Sequence, residues 1–148
     1  MNRTLVKFVC GIGVLVISYL IFIQFFGFVK VVGSSMSPNL DDGEIVVMKK
    51  AQGVERGEII FFRSENYNYI KRVIGLPGDR LDLKGGRVYL NGSLLEERYL
   101  GQLDQIEIES IHVPKDHLFV LGDDRLNSID SRHFGFIPIK NVEGIILQ

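Results

Sequence analysis

The sequence predicts a mostly β, antiparallel domain carried behind a single hydrophobic N-terminal helix. Three observations predict it. Residues 8–29 run without a formal charge. After residue 30 the chain breaks into short β-branched and aromatic runs separated by turn residues. Beyond that point there is no long amphipathic helical period, no alternation of strands with helices and no internal repeat.

The helix comes first. FVCGIGVLVISYLIFIQFFGFV spans 22 residues, and Gln24 is its only strongly polar side chain. Wound as an α-helix it is about 33 Å long, enough to cross a hydrocarbon core of about 30 Å. A cleavable signal peptide is the alternative, but it would have an apolar region of about 7–15 residues and a small-residue cleavage site. Here the run is longer and leaves through the bulky Phe25-Phe26-Gly27-Phe28. Residues 8–29 therefore read as an uncleaved transmembrane anchor with membrane lipid around it. Arg3 and Lys7 precede the span and Lys30 immediately follows it. The balance puts residues 1–7 in the cytoplasm and residues 30–148 outside, a single-pass arrangement in the cell membrane.

The strands follow at 44–48, 58–62, 67–74, 87–90, 106–113, 117–121 and 142–147. Between them lie Asp41-Asp42-Gly43, Pro77-Gly78-Asp79, Gly85-Gly86 and Asn91-Gly92. Asn91-Gly92, between RVYL and SLL, is the strongest hairpin signal, because both residues accept positive φ. Asn91-Gly92-Ser93 also matches a glycosylation sequon, but the hairpin needs no further assumption. Little linker-like sequence separates Lys30 from Ser35, so the first strand is expected close to the membrane surface.

The chain has 148 residues, room for one domain and an appendage, with 46% hydrophobic and 24% charged residues. Three of its 17 basic residues fall in residues 1–30, which hold no acid, leaving the rest net acidic against 18 Asp and Glu. Without a basic stripe that body is a poor polyanion ligand, and no nucleic-acid partner is expected. Cys10 is the single cysteine, so no intramolecular disulfide forms; within the apolar run it is a packing residue.

Candidate chemistry begins at VVGSSMSPNL, residues 31–40, where two serines end an apolar run. A serine needs a base to become a nucleophile. His112, His117 and His133 lack metal-ligand spacing, so no metal and no cofactor is expected, and no G-x-S-x-G elbow surrounds either serine. A lysine serves as base when burial disfavours its charged form. Lys71, in YNYIKRVIGLPGD, shares a strand face with Tyr69 and Val73. Read alone it is more readily an edge-strand or solvent-facing lysine. The stretch GDDRLNSIDSRHFG, residues 122–135, gathers charges, Asn and Ser between apolar strands. It reads as a solvated loop or as catalytic support on a β scaffold.

Taken in order, these stretches resemble the bacterial type I signal peptidases, or leader peptidases. The resemblance is carried by the N-terminal run, Ser35-Met36-x-Pro38, Arg56-Gly57-Glu58-Ile59-Ile60, Tyr69-Ile70-Lys71-Arg72-x-x-Gly75-x-Pro77-Gly78-Asp79 and Gly122-Asp123-x-Arg125-x-x-Ser128-x-Asp130-Ser131-Arg132. It implies a coiled antiparallel sheet shared with self-cleaving repressors, and a membrane-bound serine endopeptidase with a Ser–Lys dyad. That enzyme removes signal peptides from exported preproteins after small residues at P1 and P3. Ser35 corresponds to the nucleophile, Lys71 to the general base, Ser128 to the residue orienting its amine, and Asp130 with Arg132 to a supporting ion pair. The Ser35 N–H corresponds to one oxyanion donor. The second falls at Gly33, which has no hydroxyl, so water or another backbone group remains open for that place. Val31, Met36, Leu40, Tyr69 and Ile70 correspond to the substrate pockets. Asn39 stands where threonine is commoner, and Asp124 where asparagine is. The competing expectation is a non-catalytic, membrane-tethered peptide-binding homologue that assists pilus or surface-protein assembly.

Overall fold

The computed structural model of the protein describes residues 3–64 and 66–147. Residues 1 and 2 of the predicted cytoplasmic segment and residue 148 lie outside the described residues, as do the side chains of 3–10 and 21, Arg3 and Lys7 among them. Helix α1 runs Arg3–Phe25 and passes directly into strand β1, Phe26–Lys30. Among the described residues no helix is long and apolar enough to cross a membrane.

The end of the predicted span is corrected here: residues 26–29 are strand, not helix. Phe26 to Lys30 pair antiparallel with strand β2, Ile45–Lys50, in register Phe26↔Lys49 to Lys30↔Ile45. Aromatic and β-branched residues suit either conformation, and tertiary pairing decides between them. Pairing covers the outer edge of β2 and sets Val29 and Val31 against Val46.

The remaining strands are β3 Ile59–Ser64, β4 Tyr67–Gly75, β5 Arg80–Lys84, β6 Arg87–Leu90, β7 Ser93–Leu94, β8 Ile108–His112, β9 His117–Leu121, β10 Ile137–Pro138 and β11 Val142–Ile146. They form a seven-stranded sheet ordered β1-β2-β11-β3-β4-β9-β10 and a four-stranded sheet ordered β7-β6-β5-β8, antiparallel throughout. The domain is mostly β, as the sequence predicts. Asn91 and Gly92 both take positive φ, 50° and 88°, and close the hairpin between β6 and β7. After α1 the described residues hold one short α-helix, α2, Ser131–Phe134, capped by the Asp130 side chain, and a single 3-10 turn at Ile139–Asn141.

Strand β4 organises the interior. Val73 enters a core with Ile60, Phe62, Leu118 and Val120, while Ile74 joins Leu81, Val88, Phe119 and Leu121 under the small sheet. A third core, Val31, Met36, Leu40, Val46, Ile59 and Ile146, takes in Ile70. From Lys71 to Gly75 every residue of β4 is buried. A charged residue in such a strand costs free energy unless it is neutralised or paired, and β4 carries two, Lys71 and Arg72.

Candidate active site

Lys71 and Ser35 meet where β4 passes the loop after β1. The Lys71 side chain is buried, and its Nζ lies 2.7 Å from Ser35 Oγ. Nζ also donates to the Ile70 carbonyl at 2.9 Å. Burial is the main influence on this amine and pulls its pKa from 10.5 down to about 8; Asp130 and Asp123 oppose the change and Arg132 assists it. A sizeable fraction of Lys71 is therefore a neutral amine in mildly alkaline solution, able to take a proton from the hydroxyl beside it. The solvent-facing alternative for this lysine is excluded by its burial.

The Ser35 loop is held by its own backbone. Ser37 N–H donates to the Ser34 carbonyl, and the Asn39 and Leu40 N–H groups to that of Met36. Among the described residues none accepts the Ser35 N–H. Gly33, at φ +87°, turns its N–H to the Asp42 carboxylate at 2.8 Å, so that amide is engaged away from Ser35.

The stretch 122–132 packs directly behind the serine. Asp124 N–H donates to the Ser35 carbonyl at 3.1 Å. Gly122 is wedged so tightly that a Cβ there would collide with the Ser128 side chain and the Ser35 carbonyl. Asp130, fully buried, accepts from Arg132 Nε at 2.8 Å, Arg132 Nη2 at 2.7 Å, the Gly122 N–H at 2.9 Å and Ser128 Oγ at 2.7 Å. The expected ion pair is thus present and bidentate. The Ser128 hydroxyl donates to Asp130, and among the described residues no hydrogen bond joins it to Lys71. The charge of Asp130 also reaches the amine, where it favours the ammonium form.

A groove of about 490 Å³ opens onto the pair, lined by Val31, Met36, Tyr69, Ile70, Ser35 and Lys71 among others. Four of the five predicted pocket residues line it. Leu40 does not; it is buried beneath, against Val31 and Met36. Two unpaired strand edges flank the groove: β1 ends the sheet, and β9 pairs with β4 only from Arg72 onward.

Sequence reasoning missed several contacts here. Arg72 pairs Asp123 at 2.8 and 2.6 Å, both side chains buried. Both residues sit inside the quoted motifs, so the signal was present without its meaning. Asp104, the second carboxylate on Arg132, and Tyr99, whose ring lies 4.1 Å from the Arg72 guanidinium, sit in a segment with no motif at all.

The family model described as "Signal peptidase, peptidase S26" matches residues 3–147. Signal peptidase I of Bacillus caldolyticus is 38% identical over 131 residues, covering 76% of this chain and 72% of the relative. Signal peptidase I U of Bacillus subtilis is 36% identical over 146 residues, covering 86% and 78%. The probable signal peptidase I-2 of Synechocystis is 38% identical over 123 residues, which cover 75% of this chain but 56% of that longer relative. The crystal structure of a signal peptidase I from Enterococcus faecalis superposes with a TM-score of 0.58 at 32% identity, covering 65% of this chain and 98% of that one.

Proposed function

The chain belongs to the signal peptidase family, peptidase S26, and from that premise we propose that it is a membrane-anchored serine endopeptidase. It removes signal peptides from exported preproteins, with Ser35 as nucleophile and Lys71 as general base. The observation that carries this reading is the 2.7 Å contact between Ser35 Oγ and a buried lysine amine at the floor of an open groove.

The substrate lies extended between residues 29–33 and 68–71, adding a strand to the two free edges. Val31, Met36 and Ile70 leave room there for small side chains at P1 and P3. Ser35 Oγ attacks the scissile carbonyl carbon as Lys71 Nζ takes the hydroxyl proton. The C–N bond breaks, that proton passes to the leaving amine, and an acyl-enzyme ester remains on Ser35. Water, deprotonated by the neutral lysine, then hydrolyses the ester. The Ser35 N–H donates to the oxyanion. Because the Gly33 N–H is held by Asp42, the second donor is a bound water or a group brought by the substrate strand.

The anchor is α1. Its helix reaches Arg3–Phe25 without a break, and Val14, Leu15 and Tyr19 are all well exposed. Apolar side chains exposed along a helix suit lipid rather than water. The direct passage from α1 into β1 keeps the groove at the membrane surface, where a signal peptide leaves the bilayer.

Membranes carrying the full chain are expected to cut a precursor with Ala at P1 and P3, and those carrying Ser35→Ala to leave it intact. Equal cleavage by both would sink the assignment of Ser35. A non-catalytic, peptide-binding protein would bind the precursor and cut neither. Since the working base is the neutral amine, kcat/KM should rise about tenfold per pH unit below pH 8 and level off above it. A rate flat from pH 6 to pH 9 would contradict a lysine base.

A further inference from the structure

Between β7 and β8 the chain runs through residues 95–107 with almost no regular structure, yet it contacts the loop after Ser35, the lysine strand and the stretch 122–132. Tyr99 lies under the Arg72 guanidinium, next to the lysine on β4. The buried Glu97 pairs Arg125 and accepts the Tyr99 hydroxyl at 2.9 Å, and Asp104 pairs Arg132. The Gly101 N–H donates to the Asp123 carbonyl at 2.8 Å. That carbonyl belongs to the same peptide group as the Asp124 N–H, which donates to the Ser35 carbonyl. One peptide thus links this segment to the nucleophile.

Asn39 closes the arrangement from the other side. Its Nδ2 donates to the Tyr99 carbonyl at 2.6 Å and to Asp123 Oδ2 at 2.9 Å. The Asp123 carboxylate also receives both bonds from Arg72. A single amide nitrogen on the nucleophile loop therefore joins the segment, the stretch 122–132 and, through Asp123, the lysine strand. Only a side chain with two N–H donors satisfies both acceptors; a threonine hydroxyl has one proton to give. Fit is close at the crossing, where a Cβ on Gly101 would stand 2.5 Å from the Ser37 carbonyl oxygen.

We propose that residues 97–104 form a strap that holds the nucleophile loop in register with the lysine strand, and that Asn39 is the positioning residue through which the strap acts on Ser35. This rests on the Ser35–Lys71 reading of the site. A chain segment that merely fills space would affect stability alone. A strap that sets the Ser35–Lys71 alignment affects turnover in the folded enzyme, because small displacements of reacting groups cost rate.

The test compares the natural full chain with Asn39→Leu, close in size but without donors, and Asn39→Thr, which keeps one. kcat and KM are measured on a signal-peptide precursor well below each unfolding midpoint, beside Ser35→Ala as the inactive reference. With two hydrogen bonds lost, kcat of Asn39→Leu should fall about tenfold or more, with KM within about twofold. Asn39→Thr should lie between it and the natural chain. Should Asn39→Leu fail to fold, Asn39→Thr alone carries the test, with an expected loss of about threefold. An unchanged kcat in a folded Asn39 variant, with only the unfolding midpoint lowered, overturns the strap. If Ser35→Ala is inactive in that same experiment, the assignment of Ser35 survives and the strap alone falls.

Discussion

Lys71→Met should abolish precursor cleavage and at the same time make the protein more resistant to heat at neutral pH. Without the amine no described group near Ser35 is placed to take its proton, and the loss should be on the order of 10³-fold or more. The stability gain follows from where the lysine sits. Burial lowers its pKa from 10.5 to about 8, against the pull of Asp130 and Asp123. A cation whose folded pKa is depressed destabilises the fold fully below pH 8, and that cost vanishes as pH rises toward 10.5. The gap corresponds to roughly 3 kcal/mol. Met gives up the contacts to Ser35 Oγ and the Ile70 carbonyl, so a net gain on the order of 1–2 kcal/mol is expected. Thermal unfolding at pH 7 and pH 10 measures it: the variant should be the more stable at pH 7, and the difference should shrink at pH 10. A variant less stable than the natural chain at pH 7 would show that the lysine is buried at no cost.

The proposed catalytic pair was legible in the sequence because it sits in short motifs whose residues are neighbours in the chain. Ser35-Met36-x-Pro38 and Tyr69-Ile70-Lys71-Arg72 each fold into one local piece, and β6 and β9 keep the boundaries their turn residues suggest. What bridges those pieces was not legible. Asn39 reaches Asp123 across 84 positions and Tyr99 across 60, and Arg132 finds Asp104 in a segment with neither strand pattern nor motif. Such partners are chosen by the three-dimensional fold and leave no periodicity to read. The junction at Phe26 failed for a related reason. An apolar run of Phe, Gly and Val has the same composition in a membrane helix as in an edge strand, and only the presence of β2 alongside decides. The motif also gave no sign that the Ser128 hydroxyl gives its proton to Asp130, the carboxylate two residues away.

Asp130 should prove the most sensitive residue of the domain. It is fully buried and receives two bonds from the Arg132 side chain, one from the Gly122 N–H and one from the Ser128 hydroxyl, and it caps α2. Burial alone would raise its pKa; the Arg132 and Gly122 bonds, with Ser128, win and hold it below the usual carboxylate range. Its contribution to stability is thus present above about pH 4 and disappears as pH falls through the depressed value. Asp130→Ala leaves a buried guanidinium with half its partners and a buried N–H with none, at a cost of about 3–5 kcal/mol. Asp130→Asn keeps the shape and one acceptor and should cost less. Both remove the charge that most favours the Lys71 ammonium. Whatever activity survives in Asp130→Asn should therefore have its acid limb moved to lower pH, even as kcat falls because Ser128 and Gly122 are no longer fixed. Thermal unfolding of the alanine variant and the pH–rate profile of the asparagine variant test the two halves separately. An acid limb that stays near pH 8 or moves upward would mean that Asp130 supports the loop but does not act on the lysine.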